Sequence, residues 1–422
     1  MTIRFYNARI ISMSDNLPQI FEGELHVSEN KITYVGKGED GLKSTFDKEI
    51  DCKGNVLMPG LKNAHTHTAM TFARSFSDNL PLDEWLHTRI FPMEGKLTDE
   101  CIYSFSTLGF AEYLRNGITS CFDMYFNLPN YNRASIDSGF RSVLCGSVND
   151  FGGIDRLEDE FVEYNKCHEL ISMVLGFHAE YTTSEAIMKR ISEISHKYSA
   201  PVYAHNSETI KEVNECIGRY GKTPTKVMED LGLFDFGGGG FHCVWFNDED
   251  MDIFKKHNLY AVTNPCSNLK LASGIANLQK YYDEGINVAI GTDGAGSNNA
   301  LDMFREIYLA SVLSKVKNDD ASAVDPYALL RSATTVGARA MGLNDCDCLE
   351  VGKTADIIML NMATPNMQPV NNIISNIVYS GNPSNVVMTM INGKILYDNG
   401  EFTSIDTEKV YSDCNRLMET FN

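Results

Sequence analysis

The chain has 422 residues, of which 43% are hydrophobic and 22% charged, a composition typical of a globular protein with a sizeable core. Its 36 basic and 56 acidic side chains give a net charge of -20, which argues against a nucleic-acid partner because phosphate backbones are bound by clustered Lys and Arg. The sequence has neither the pattern of a secretory signal nor an apolar run long enough to cross a bilayer. We therefore expect a cytoplasmic protein without a membrane partner.

Short segments with β-strand character occupy both ends of the chain. The strands predicted there cover residues 3–11, 23–27, 31–35, 49–52, 355–360, 376–379, 386–391 and 394–397. The last two are joined through Asn392-Gly393, a favoured two-residue hairpin turn. A helix is predicted over residues 406–419. We expect residues 1–57 and 350–422 to form one small β-sandwich domain built from both termini.

Between the two ends, predicted strands and helices alternate, which is the pattern of a parallel α/β fold. The predicted strands cover residues 56–61, 118–124, 141–148, 173–178, 202–205, 240–244, 260–263 and 288–291. The helices predicted among them cover residues 99–116, 156–168, 184–198, 223–231, 248–257, 275–284 and 301–317. Eight strands with intervening helices over about 240 residues fit a (β/α)8 TIM barrel better than an open doubly wound sheet. We expect this barrel to span residues 58–349 and to carry the catalytic site.

Histidines are concentrated at the C-terminal ends of the predicted barrel strands, where barrel enzymes place their chemistry. Five of the ten histidines in the chain are found there, together with an aspartate. These side chains are His65, His67, His178, His205, His242 and Asp293. His65 and His67 lie two residues apart on an extended backbone, so both rings can turn toward one point.

Four of these side chains make a candidate metal site. The predicted ligands are His65, His67, His205 and Asp293. They would supply three nitrogens and one carboxylate oxygen to one divalent ion, with zinc expected and iron as the alternative, and leave a further position for water. Glu208, three residues beyond His205, is placed to act as general base and then general acid. His242 and Asp293 would orient the water.

Six motifs along the chain can be grouped with these residues. They are PGLKNAHTH at 59–67, EWL at 84–86, FPMEGKLT at 91–98, HNSET at 205–209, NPCSNLKL at 264–271 and GTDGAGSNN at 291–299. Together they resemble the amidohydrolase superfamily, and most closely its ATZ/TRZ-like branch of S-adenosylhomocysteine, 5'-methylthioadenosine and 5'-deoxyadenosine deaminases. The resemblance implies a single metal ion on the four predicted ligands, with Glu208 and His242 serving the proton transfers.

The resemblance also implies contacts with a purine nucleoside. Glu94 matches the carboxylate that holds the ribose hydroxyls, His178 matches a purine-ring contact, and Trp85 would line the base pocket. Arg156 aligns with one of two arginines that bind the amino-acid carboxylate in members acting on S-adenosylhomocysteine. The other arginine position falls at Cys145, which favours a short 5' group on the substrate.

From the residues and the resemblance we predict a metal-dependent hydrolytic deaminase that releases ammonia from 5'-deoxyadenosine, 5'-methylthioadenosine, adenosine or S-adenosylhomocysteine. The alternatives are a deaminase of guanine or another aminated heterocycle, a triazine-type chlorohydrolase, and a non-catalytic metal- or purine-binding barrel. His178 stands where binuclear relatives usually have a lysine, and Glu208 favours an amine leaving group. The sequence leaves open whether the chain forms a homo-oligomer.

Overall fold

The computed structural model describes residues 1–38, 45–76 and 78–421. Its strands are β1 Thr2–Ile10, β2 Phe21–Ser28, β3 Lys31–Gly36, β4 Lys48–Asp51, β5 Val56–Pro59, β6 Leu61–Thr66, β7 Ile118–Met124, β8 Arg141–Cys145, β9 Ile171–Ala179, β10 Val202–Asn206, β11 Gly238–His242, β12 Tyr260–Thr263, β13 Asn287–Ile290, β14 Ile357–Leu360, β15 Val386–Ile391, β16 Lys394–Asp398 and β17 Glu401–Phe402.

The α-helices are α1 Leu82–Trp85, α2 Phe91–Glu94, α3 Asp99–Arg115, α4 Leu128–Ser138, α5 Ile154–Tyr164, α6 Glu185–Tyr198, α7 Ile210–Tyr220, α8 Pro224–Asp230, α9 Asp248–Lys256, α10 Pro265–Lys270, α11 Leu278–Asp283, α12 Ala295–Asn298, α13 Met303–Asn318, α14 Pro326–Ser332, α15 Thr335–Ala340, α16 Ile373–Tyr379 and α17 Thr407–Met418. A π-helical turn covers Leu86–Ile90, and 3-10 turns cover Thr68–Ala73, Glu180–Thr182, Pro365–Met367, Pro383–Asn385 and Glu419–Phe421. Among the described residues, no helix has the length and apolar composition that crossing a bilayer requires.

Strands from both termini form one mixed sheet, as predicted. Its order is β17-β16-β15-β14-β5-β1-β2-β3, and β4 pairs with β1. The turn between β15 and β16 is the predicted one, with both Asn392 and Gly393 at positive φ. The predicted strand over 376–379 is wrong, because these residues end α16. The Asn372 side chain caps that helix, and its buried Ile374, Ile377 and Val378 follow helical spacing.

The other eight strands form a parallel and nearly closed barrel, which confirms the predicted fold. They follow chain order from β6 to β13, and the chain just after β13 returns to β6 through a 2.9 Å hydrogen bond from the Asp293 amide to the His65 carbonyl. The barrel interior contains a buried apolar cluster that includes Phe122, Tyr203 and Phe241. These packed side chains fill the barrel beneath the C-terminal ends of its strands.

The first barrel strand begins later than predicted. The expected strand over 56–61 is divided in the structure, because β5 pairs with β1 and β14 in the terminal sheet while β6 begins the barrel. Gly60 is the residue between the two. A Cβ atom at Gly60 would lie 2.1 Å from the Thr119 side chain, so only glycine allows this close approach between strands. The proposed domain limits, residues 1–57 with 350–422 for the small domain and 58–349 for the barrel, stay a prediction.

Several helices were not predicted, including α4 between β7 and β8 and α7 after β10. The buried face of α4 includes Asn132, Ser135 and Ser138 beside Leu128 and Tyr131. Polar residues on a buried face weaken the apolar periodicity from which helices are predicted. The segment from α1 to α2 was also missed, although it covers one side of the cavity described below.

Candidate metal centre and active site

The C-terminal rim of the barrel brings together the predicted histidines and aspartate. His65 lies on β6 with His67 just after it, His205 lies on β10, His242 ends β11, and Asp293 follows β13. Ligating atoms of His65, His67 and His205 all lie within 4.8 Å of one another, and so do those of His65, His242 and Asp293. Parallel strands of one barrel end at the same rim, so side chains far apart in sequence meet there.

Backbone carbonyls orient two of the histidine rings. The Nδ1 atom of His67 lies 2.6 Å from the carbonyl oxygen of Met124, and Nδ1 of His205 lies 2.6 Å from that of His178. Because a carbonyl oxygen only accepts, each Nδ1 carries a proton, and Nε2 is the nitrogen that each ring turns toward the other ligands. This is the tautomer that a histidine metal ligand needs.

His65 lies at the centre of the group and is fully buried. Its ring stacks on Phe241 with centroids 3.9 Å apart, and neither ring nitrogen has a hydrogen-bond partner among the described residues. Burial lowers the pKa of His65 to about 3, so the ring is neutral. Buried polar atoms without a partner are rare in proteins, and a cation coordinated by the ring would satisfy one of these nitrogens.

Asp293 provides the carboxylate of the site. Its Oδ1 atom lies 3.2 Å from Nε2 of His67 and 3.5 Å from Nε2 of His65. Its Oδ2 atom accepts hydrogen bonds from Ser267 Oγ at 2.6 Å and Ser297 Oγ at 2.8 Å. Although burial opposes ionisation, the facing rings of His65 and His67 hold the pKa of Asp293 well below its ordinary value. Three imidazole nitrogens and an ionised carboxylate fit a divalent metal ion.

Glu208 and His242 lie beside this group. The Glu208 carboxylate is 3.8 Å from Nε2 of His242 and accepts a hydrogen bond from Ser273 Oγ at 3.2 Å. Burial raises the pKa of Glu208, which brings the carboxyl group closer to exchanging protons at neutral pH. The Nδ1 atom of His242 lies 2.7 Å from Oδ1 of Asn268, so the Nδ1 proton points away from Glu208.

Backbone strain is concentrated at the same rim. Ser207, His242 and Asp293 have φ angles of 52°, 70° and 59°, in the left-handed region that side-chain-bearing residues seldom adopt. Such conformations cost of order 1–3 kcal/mol each and often occur at functional sites.

A cavity of about 130 Å³ opens onto this group. It is lined by three of the predicted substrate residues, Trp85, Glu94 and His178. Burial raises the pKa of Glu94 to about 6 and lowers that of His178 to about 4. The structure does not bring Arg156 to this cavity, because its side chain is 72% exposed and lies 3.8 Å from Glu160 on α5.

Sequence reasoning assigned no role to several side chains that support the site. These are Ser267, Asn268, Ser273, Ser297 and Tyr125. Each follows a barrel strand toward the C-terminal rim, and that position is the signal that identifies them. Their hydrogen-bond partners depend on loop geometry, which no local pattern predicts.

Proteins related in sequence and in fold are known. A 5-methylthioadenosine/S-adenosylhomocysteine deaminase of Thermoanaerobacter pseudethanolicus is 37% identical over 419 residues, covering 97% of each chain. A 5'-deoxyadenosine deaminase of Methanobrevibacter smithii is 37% identical over 408 residues, covering 94% of this chain and 93% of that one. The crystal structure of an adenosine deaminase from Xanthomonas campestris with bound zinc matches with a TM-score of 0.92 at 29% identity, covering 99% of this chain and 98% of that one.

The sequence also matches the profile of the amidohydrolase family over residues 56–396, a range that includes the whole barrel rim. The fold matches that of the zinc-containing structural relative over nearly the full length of both chains. On these grounds this chain belongs to the amidohydrolase family.

Proposed function

We propose that this protein is a metal-dependent hydrolytic deaminase of an adenosine-type nucleoside. The observation that carries the proposal is the buried carboxyl group of Glu208 beside a cluster of three histidines and an ionised aspartate. The names of the two relatives described above support the substrate class. The reaction consumes one water and releases ammonia and the inosine analogue.

The proposed ligands of one divalent ion are His65, His67, His205 and Asp293. A mixed set of imidazoles and one carboxylate suits zinc, and the structural relative with bound zinc favours that ion over iron. When bound, such an ion lowers the pKa of a coordinated water to about 7 and so makes a nucleophile available at neutral pH. The orphaned nitrogens of His65 support a cation at this position.

Glu208 moves the protons in the proposed reaction. Its carboxylate takes a proton from the attacking water and delivers it to the ring nitrogen next to C6, which loses its double bond to that carbon as the new C–O bond forms. It then transfers the second proton to the amino group, and ammonia leaves as the C–N bond breaks. His242 and the Asp293 carboxylate hold the water in place through hydrogen bonds.

The cavity favours a nucleoside with a short and uncharged 5' group. Glu94 is proposed to accept from the ribose hydroxyls, His178 to contact the purine ring, and Trp85 to cover the base. The described residues that line the cavity include no Lys or Arg. A carboxylate or phosphate at the 5' end would therefore lose its hydration without gaining a cationic partner. This supports 5'-deoxyadenosine and 5'-methylthioadenosine over S-adenosylhomocysteine.

An ammonia-release assay on the zinc-loaded protein tests the proposal. We expect turnover of 5'-deoxyadenosine and 5'-methylthioadenosine with kcat/KM at least about tenfold above that of S-adenosylhomocysteine, a difference of about 1.4 kcal/mol. Metal analysis of the same preparation should give one ion per chain. Ammonia from guanine alone, chloride from a chlorotriazine, or bound metal without turnover of any purine would each contradict the proposal.

A further inference from the structure

The cavity contains a buried phenol that the proposed reaction does not use. Tyr125 directly follows β7 at the rim of the barrel, is 5% exposed, and lines the same cavity as Glu94. Its hydroxyl faces Glu94, where it lowers the pKa of that carboxyl group, but it makes no hydrogen bond of good geometry within the described part of the chain. A buried hydroxyl whose hydrogen bonding is incomplete is costly, so its presence in a cavity points to a ligand that completes it.

The position of the Tyr125 ring is well defined. It stacks on Phe126 with ring centroids 4.4 Å apart and planes inclined by 20°, and its backbone carbonyl accepts a hydrogen bond from Ser147 Oγ at 3.3 Å. Loss of the hydroxyl alone would therefore leave the ring packing intact. A rigid donor in a preformed cavity costs little entropy when a ligand binds.

Glu94 complements this hydroxyl chemically. Burial, followed by the negative charge of Glu94, raises the pKa of Tyr125 well above its ordinary value, so the phenol stays protonated and able to donate. An ionised carboxylate only accepts hydrogen bonds, whereas each hydroxyl of a vicinal diol both donates and accepts. A diol held by a carboxylate alone would leave its own oxygen atoms without a donor.

We propose that Tyr125 is a further substrate-binding residue, whose hydroxyl donates to one ribose oxygen while Glu94 accepts from the ribose hydroxyls. This assignment rests on the proposed function in one respect, since it takes the ligand to be a ribonucleoside. The pair makes the cavity selective for ribose over deoxyribose, because a deoxy sugar leaves one of the two polar groups buried and unpaired.

Equilibrium binding to the zinc-loaded protein tests this assignment without turnover. The probes are inosine, 2'-deoxyinosine and 3'-deoxyinosine, with affinities measured by calorimetry for the native protein and for Tyr125→Phe. We expect Tyr125→Phe to weaken the affinity for inosine about tenfold. The affinity for the deoxy analogue that lacks the contacted oxygen should stay unchanged. Equal losses for all three probes, or no loss for inosine, would overturn the assignment.

Two further variants sharpen the experiment. Tyr198→Phe is the matched control, because its hydroxyl donates to Glu158 at 3.0 Å on the surface, and it should leave all three affinities unchanged. In a Glu94→Gln background, Tyr125→Phe should still weaken the affinity for inosine about tenfold if the phenol contacts ribose directly. No additional loss in that background would mean that Tyr125 acts only by orienting Glu94, and would reject the proposal.

The binding experiment also separates this assignment from the proposed function. A protein that binds inosine through Tyr125 but releases no ammonia from any nucleoside would reject the deaminase proposal and leave the Tyr125 assignment standing. A protein that deaminates nucleosides, and whose affinity for inosine is the same in Tyr125→Phe as in the native protein, would support the deaminase proposal and reject the Tyr125 assignment. Failure to bind inosine at all would reject the assignment.

Discussion

Glu208 is the residue on which the proposed proton transfers depend. Its carboxylate is buried, its one hydrogen-bond donor among the described residues is Ser273, and it lies 3.8 Å from Nε2 of His242. Low exposure and few donors both favour the protonated form, as a group that must act as acid and base near neutral pH requires. The same burial would be unfavourable for a carboxylate with a purely structural role.

The variant Glu208→Gln tests this role. We expect kcat to fall by a factor of about 10²–10⁴, the usual contribution of a general acid–base group, with metal content unchanged. Ammonia release and metal analysis on the same sample measure the two quantities. Glu215→Gln, an exposed carboxylate on α7, is the control and should retain normal turnover. Normal turnover in Glu208→Gln would contradict the assignment.

His205 tests the proposed ligand set. Its Nε2 lone pair is directed by the hydrogen bond from Nδ1 to the His178 carbonyl. We expect His205→Ala to weaken zinc affinity by more than about a hundredfold in chelator competition, since even the loss of a group that only orients a ligand costs 10–100-fold. His196→Ala, which removes a surface histidine near Asp235, should bind zinc normally. Full metal occupancy in His205→Ala would reject it as a ligand.

Among the elements of secondary structure, the start of α7 is the one that holds Glu208 in place. Thr209 and Glu212 form a capping box, in which Thr209 Oγ1 accepts from the Glu212 amide at 3.1 Å. The Glu212 carboxylate also accepts from the amides of Ser207 at 2.9 Å and Glu208 at 2.8 Å. The helix cap therefore extends backward along the chain into the loop that carries the proposed acid–base group.

Two variants separate capping from positioning. Thr209→Ala and Glu212→Ala should each lower the free energy of unfolding by about 1–2 kcal/mol, because each removes half of the cap. Only Glu212→Ala should also lower kcat, since it alone frees the amide of Glu208. Urea unfolding and steady-state kinetics measure the two effects. Equal kcat values in the two variants would show that Glu212 acts only as a helix cap.

At the scale of the whole molecule, a buried ionic group connects the barrel to the terminal sheet. Asp356, just before β14, accepts from Arg141 at 2.8 Å and 3.1 Å and lies 3.5 Å from Lys62 Nζ. Its Oδ1 atom also accepts from the amide of Asn392 at 2.8 Å. Arg141 and Lys62 are on β8 and β6 of the barrel, and Asn392 lies in the turn between β15 and β16, so groups from both sheets converge on one carboxylate.

Removal of the Asp356 carboxylate should strongly destabilise the fold. We expect Asp356→Asn to lower the free energy of unfolding by about 3–5 kcal/mol, because it leaves two buried cations without a counterion. Asp15→Asn removes the partner of Arg331 at the surface and should cost no more than about 1 kcal/mol. Urea unfolding of both variants at neutral pH measures the difference, and similar losses would contradict the prediction.

The same buried ionic group, centred on Asp356, should make the stability of the fold depend on pH. Burial would raise the pKa of Asp356, but the charges of Arg141 and Lys62 outweigh it and lower the pKa to about 2. Because this pKa is below the ordinary value of 3.8, the carboxylate stabilises the fold above about pH 4 by roughly 2 kcal/mol, and this contribution is lost as the pH falls toward 2. The stability difference between the native protein and Asp356→Asn should narrow over that interval.

Local patterns were enough to predict much of this molecule. Alternation of strands and helices indicated the barrel, and the fold confirms it, because parallel strands of one sheet are buried on both faces and read as short apolar runs. The clustering of His65, His205 and Asp293 could be anticipated for the same reason. All barrel strands point the same way, so residues at their C-terminal ends must meet at one rim.

Only the tertiary structure decided the features that depend on contacts between distant segments. It assigned Val56–Pro59 to the terminal sheet, placed Arg156 on an exposed helix face, and connected Ser267 to Asp293. It also left the Tyr125 hydroxyl, inside the cavity, without a well-formed hydrogen bond to any described residue. The sequence by itself determined which side chains reach the rim, since that follows from strand direction. How they pair and what the cavity accepts depend on loop geometry, which is set by packing across the whole chain.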